Sequence, residues 1–174
     1  MTIRPRWLAI VAVAVALVAA VCLLRRPAKL EPEDRIRAMF DEAAHAAEQR
    51  KVKEVVAVLS DRFEGGGEGE RAGRDEIRRL LAFELRRGEW VSVTVSSARV
   101  IVDGRKARAN VDAVLSRATD RTKGLASLLP GEASVHRFQL DLDEEEPGSW
   151  RVVSGSWRQI GLEEALSGPE DPRW

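Results

Sequence analysis

The chain has no tyrosine, only two histidines (His45 and His136) and a single cysteine, Cys22. One cysteine excludes a disulfide framework within a domain and leaves no cysteine-based metal site. Two histidines without cysteine partners make no zinc ligand set, so no metal and no cofactor are expected. Charge of either sign is also missing in excess: 28 basic residues balance 28 acidic ones, for a formal charge of zero. With no basic surplus to neutralise a phosphate backbone, nucleic acid is not an expected partner. The glycine cluster Gly65–Gly69 lacks the lysine and the spacing of a P-loop, and no nucleophile–base pair is legible. Arginine outnumbers lysine 23 to 5, which points to a GC-rich bacterial genome more than to a function.

What is present begins with one long apolar segment. Trp7 to Leu24 is an unbroken run of 18 residues between Arg4 and Arg6 on one side and Arg25 and Arg26 on the other. As a helix it spans roughly 27 Å, close to the hydrocarbon thickness of a bilayer. The reading is a single-pass transmembrane anchor over 7–24, preceded by a short basic N-terminus (1–6) and followed by a linker (25–32). A cleavable signal peptide is the alternative, with Val18-Ala19-Ala20 as its processing site, and Cys22 adds a lipoprotein alternative. The run continuing through Val21-Cys22-Leu23-Leu24 to two arginines favours the anchor. Flanking basic residues leave the orientation open. Counting them leans toward a cytoplasmic domain; a short basic leader leans toward export.

About 137 residues, Leu30 to Leu166, remain for one domain with its own core. Ile36, Phe40, Ala43 and Ala47 form a helical stripe, and Val52, Val55, Val56 and Leu59 a second. The two stripes are rotated about 140° from each other at 100° per residue, so the helix must break near Gln49–Lys51. A third helix follows the glycine-rich stretch Glu64–Gly73, with Ile77, Leu80, Leu81 and Leu85 as its apolar face and Gly88 as its stop. From Trp90 the period becomes two. Val91, Val93 and Val95 alternate with polar residues, and the phase slips before Ala98, Val100 and Val102, which predicts a bulge at Ser96-Ser97. Asp103-Gly104 is a hairpin turn, and the return strand puts Val111 inward and Asp112 in solvent. A third strand aligns His136, Phe138, Leu140 and Leu142. The fourth, Trp150 to Ile160, contains Gly155 as a bend. Residues 163–174 read as a flexible tail. The sum is α+β: three helices on a four-stranded antiparallel meander over 33–162.

This order resembles the nuclear transport factor 2-like (NTF2-like) superfamily, the cone shared with SnoaL-type cyclases and ketosteroid isomerases. The resemblance covers roughly Glu33 to Ile160. It rests on the early helix, on Val55-Val-Ala-Val-Leu-Ser-Asp-Arg-Phe63, on Gly73-Arg-Asp-Glu-Ile-Arg-Arg-Leu-Leu81, and on Ser149-Trp-Arg-Val-Val153 with Trp157. It implies helices and a concave sheet face enclosing a pocket, and a convex face used for dimerisation. The isomerase and dehydratase chemistries need tyrosines this chain lacks. A SnoaL-like site implies a pocket acid, for which Asp61 is the positional analogue. Glu84 on the third helix and His136 on the third strand are the other weak catalytic candidates, an acid and a base. Trp90, Phe138, Leu140, Trp150 and Trp157 are the candidate pocket lining. The expected arrangement is a cone filled by its own large side chains, with Glu84 and His136 hydrated at its rim. Leu125, Leu128 and Leu129 in the long connection 118–133 make it a candidate lid or docking loop.

The functional expectation is a non-enzymatic binding or assembly module on a membrane anchor, similar in architecture to inner-membrane scaffold proteins of secretion and lipid-import systems. The alternative is a small-molecule-binding or SnoaL-like enzymatic domain using the acids and His136. Expected partners are the bilayer through 7–24 and a protein partner or second copy through the sheet face. The soluble domain is placed outside the cytoplasm at a bacterial inner membrane.

Overall fold

The computed structural model describes residues 30–67, 71–87, 92–116 and 133–172. The chain divides into two units, Met1–Glu31 and Pro32–Trp174. The apolar run 7–24 lies outside the described residues, and among those described no helix is long and apolar enough to cross a membrane.

Helix α1 spans Pro32–Glu48. Proline at its first position loses no hydrogen bond, and Glu33 and Asp34 in the first turn suit the positive end of the helix dipole. Ile36, Phe40 and Ala46 are its buried residues. The helix ends at Glu48, beside the break expected at Gln49–Lys51. Arg50 adopts φ 58°, and two bonds close the end: Lys51 N–H donates to the Ala46 carbonyl and Arg50 N–H to that of Ala47, both at 2.9 Å. This is the left-handed helix terminus usually occupied by glycine. Helix α2, Val52–Val56, follows.

The chain then departs from expectation. Leu59–Gly66 forms strand β1 and Ala72–Gly73 forms β2. Four further strands match the alternation seen in sequence: β3 Ser92–Asp103, β4 Lys106–Ser116, β5 Ala133–Glu146 and β6 Ser149–Ile160. The sheet has six strands in the order β2-β1-β6-β5-β4-β3, with β1 parallel to β6 and the other pairs antiparallel. The expected four-stranded meander is therefore the larger part of a six-stranded sheet. β1 runs beside β6 because both strands carry glycine at the contact. A Cβ on Gly65 would stand 2.3 Å from the Gly155 carbonyl oxygen, so only glycine permits this approach. The register of β3 on β4 slips between Val95 and Ser97, as the phase slip predicts. On β6 the extra residue is Val153, since Asp141 faces Ser154 and Leu142 faces Val152.

Helix α3 (Arg74–Arg87) lies between β2 and β3 in sequence and has no buried residue. Its expected apolar face is only half used. Ile77 packs against the core, whereas Leu80 remains 50% exposed. Helix α4, Leu162–Ser167, and the segment to Pro172 replace the expected flexible tail, with Pro169 fully buried. The reason is a second apolar cluster on the sheet face turned away from α1. There Val114, Val135 and Ile160 pack with Ala165 of α4.

Candidate functional site

The face of the sheet toward α1 is packed. Ile36 and Phe40 from α1, Phe63 from β1, and Ala107, Ala109, Val111, Leu142, Trp150 and Val152 from the sheet form one buried cluster. Met39, Ile77, Phe138 and Leu140 pack against it. Phe40, Phe63 and Trp150 are buried together with the small residues of β4. Of the proposed lining, Trp150 is core, Phe138 and Leu140 border it, and Trp157 stacks obliquely on Phe138 with centroids 6.3 Å apart. Trp90 lies outside the described residues, as does the loop 117–132.

The three catalytic candidates are not brought together. Asp61 sits in β1 and not at a helix end; its exposed carboxylate accepts a hydrogen bond from Arg74 at the start of α3. Glu84 is exposed on α3. His136 is half-buried on β5, its Nε2 3.2 Å from Ser134 Oγ, and burial holds its pKa below the usual 6.5. Its position on the inner face, paired with Ala113 and Gln159, agrees with the strand reading. His45 is exposed on α1 and contacts Gln49. Among the described residues no three His, Cys, Asp or Glu side chains are grouped to hold a metal.

The polar chemistry gathers instead on the opposite sheet face. Asp112, expected in solvent, is fully buried. Arg137, its cross-strand neighbour, donates two hydrogen bonds to it, Nε to Oδ1 at 2.8 Å and Nη2 to Oδ2 at 2.9 Å. Arg137 also donates to the Glu164 carboxylate at 2.8 Å and to its backbone carbonyl at 3.2 Å. Arg158 donates to the same carboxylate. The hydrogen bond to Asp112 holds the Arg137 pKa above its ordinary value against the opposing effect of burial. The hydrogen bond from Arg158, with the charges of Arg158 and Arg137, holds Glu164 below the usual carboxylate range. The C-terminal segment completes the cover: Asn110 Nδ2 donates to the Glu170 carbonyl at 2.7 Å, and Arg99 pairs with Asp171 at 2.8 Å.

Beside this cover the outer face stays open as a polar groove of about 1080 Å³, running from Gly65–Gly67 to Pro172. Gln139, Ser156 and the Arg108–Asp141 pair lie in it. A second, smaller hollow of about 510 Å³ lies between α2 and α3, rimmed by Arg50, Arg78, Arg79 and Arg86. These four arginines are not among the candidate site residues of the sequence. A signal for them exists, since Arg79 and Arg86 are seven residues apart and so within about 20° on one helix.

Comparison with known proteins gives the fold and no more. No family model matches the sequence, and no curated protein does. Solved structures match well. The chain has the NTF2-like fold, α+β with a curved six-stranded sheet. It is similar to an NTF2-like protein with a cystatin-like fold from Novosphingobium aromaticivorans, at 20% identity and TM-score 0.60, over 87% of this chain and 92% of that one. It is also similar to an NTF2-like protein of unknown function from Pseudomonas putida KT2440, at 14% identity and TM-score 0.58, over 81% and 95%. A third similar structure is an NTF-2 like protein of unknown function from Shewanella oneidensis MR-1, at 13% identity and TM-score 0.56, over 73% and 98%.

Proposed function

We propose that this chain is a membrane-anchored NTF2-like domain that binds or assembles with a partner and catalyses no reaction. The observation that carries the reading is the filled inner face. An enzyme of this architecture needs room for substrate beside its acid and base, and what supports the reading is that Phe40, Phe63 and Trp150 are buried together against the inner sheet face. Asp61 is engaged with Arg74, Glu84 is exposed, and His136 stands beside Ser134. The anchor is the 18-residue apolar run 7–24 with its flanking arginines. We place the domain on the extracytoplasmic side of a bacterial inner membrane. The partner surface we assign is the uncovered part of the outer sheet face, the polar groove beside the C-terminal segment. A protein partner or a second copy would meet Gln139 and Ser156 there.

Fractionation and a topology reporter test this. The full chain should stay in the membrane pellet through alkaline carbonate extraction, and the chain lacking residues 1–29 should be released. Alkaline phosphatase fused after Trp174 should be active. Extraction of the full chain by carbonate, or an inactive phosphatase with a fluorescent cytoplasmic reporter at the same position, would refute the anchor or the orientation respectively.

A further inference from the structure

Helix α3 is held to the domain on one side only. None of its residues is buried, and Leu80 and Phe83 are 50% and 58% exposed. Arg87 lies over the Phe83 ring, 5.5 Å from its centroid. Along its flank toward α2 runs the hollow of about 510 Å³, walled by Val52, Ala82 and Leu85 and rimmed by Arg50, Arg78, Arg79 and Arg86, with no carboxylate in its lining. In a chain of zero formal charge this is a local excess of cations, three of the four standing without a carboxylate partner. Arg78 meets Asp75 at 3.3 Å on the surface, and the Arg50, Arg79 and Arg86 side chains have no partner among the described residues. Arg50 is also the one non-glycine described residue with positive φ, a conformation that costs a side-chain-bearing residue stability. A glycine at that helix terminus would relieve the strain and remove a guanidinium from the rim.

We propose that this hollow binds the phosphate of an anionic phospholipid, seating α3 on the bilayer surface. Guanidinium forks match phosphate oxygens in pairs, and a weakly hydrated cation tolerates the headgroup region. The apolar walls accept the glycerol and first methylenes of the lipid, which inorganic phosphate does not offer. Leu80, Phe83 and Arg87 lie on another flank of the same helix, about 130° around from the hollow and shared with Glu76, and add apolar and basic contacts at its exposed side. The choice of a bilayer lipid as the source rests on the anchor reading above.

The full chain, purified in an uncharged maltoside detergent, is titrated calorimetrically with dihexanoyl phosphatidate, dihexanoyl phosphatidylcholine and inorganic phosphate. The expected result is saturable phosphatidate binding at least tenfold tighter than either of the others. R79E/R86E should weaken it by tenfold or more. Arg50→Gly should weaken it severalfold while raising the melting temperature, so that loss of binding is separated from loss of fold. Absence of saturable phosphatidate binding, or binding unchanged in R79E/R86E, would overturn the site. Inorganic phosphate binding as tightly as phosphatidate would overturn the lipid as its source. The titration is done in micelles, so failure of the anchor reading appears in carbonate extraction and not here.

Discussion

Replacing Arg137 with methionine should be among the most damaging single changes available in this domain. The side chain is 9% exposed and its partner Asp112 is 0% exposed. Methionine keeps much of the volume and removes four hydrogen bonds, two to the Asp112 carboxylate and two to Glu164. The greater loss is at Asp112, whose charge would remain buried with no cation beside it. Breaking a buried pair from one side costs about 3–5 kcal/mol, because the remaining ion has lost both water and partner. For a domain of this size that corresponds to a melting temperature lowered by about 10–15 °C. The converse change, Asp112→Val, should cost less, about 2 kcal/mol, since Arg137 keeps Glu164 and sits nearer the surface. The double variant Asp112→Val with Arg137→Met should lie close to Asp112→Val alone, because two apolar side chains leave no orphaned charge. Urea denaturation of the wild type, both single variants and the double variant closes the cycle. If Arg137→Met stays within 1 kcal/mol of wild type, or if the effects of the two single changes add, Asp112 is hydrated and the outer face is not covered as described.

Four further outcomes are expected. Gly65→Ala should destabilise by about 2–3 kcal/mol in denaturation, since its Cβ would stand 2.3 Å from the Gly155 oxygen, whereas Gly73→Ala, with its nearest atom at 3.9 Å, should change stability by under about 1 kcal/mol. Arg50→Gly should raise stability by about 1 kcal/mol by relieving a left-handed arginine; a loss of stability would show that its side chain supports the fold. His136 is held below its unfolded pKa of 6.5 by burial. The unfolded chain therefore takes up its proton first as pH falls through 6.5, stability declines until the folded histidine titrates too, and His136→Gln should flatten that part of the pH–stability curve. Glu164, whose folded pKa is depressed, contributes above the ordinary carboxylate range and loses that contribution as pH falls through its folded value; Glu164→Gln should remove this acid-side step.

The strands β3 to β6 were legible because their alternation is local and strict. Lys106 to Leu115 places an apolar residue at every second position, and the structure keeps that register against β5 and β3. The bulge at Ser96 was legible for the same reason. β1 was not. Val55, Val56, Leu59 and Phe63 fit helical spacing as well as anything else, and Gly65-Gly66 reads as loop. Val55 and Val56 stay in α2, but Leu59–Gly66 becomes a strand because of β6, about 90 residues away, whose Gly155 accepts the close approach. Asp112 was misread for a related reason. Alternation correctly sets it opposite to Val111, but a position away from one core is in solvent only if nothing else covers it. Val114, Val135 and Ile160, apolar residues on an otherwise polar face, were the available sign that something does. Of the five lining candidates, Phe138, Leu140, Trp150 and Trp157 share one side of the sheet, and Trp90 lies outside the described residues. Their role as packing was set by Ile36, Phe40 and Phe63 arriving from other elements.

In the proposed reading, the inner face of this domain is closed to substrates by its own side chains. Crystals or concentrated solutions of the protein under xenon pressure probe it directly, because xenon occupies apolar cavities that are empty. No xenon is expected between α1 and the sheet, with Phe40, Phe63 and Trp150 unmoved. A bound xenon site walled by Phe138, Leu140 and Trp150, large enough for a small molecule and reached by His136, would contradict it and restore the enzyme reading.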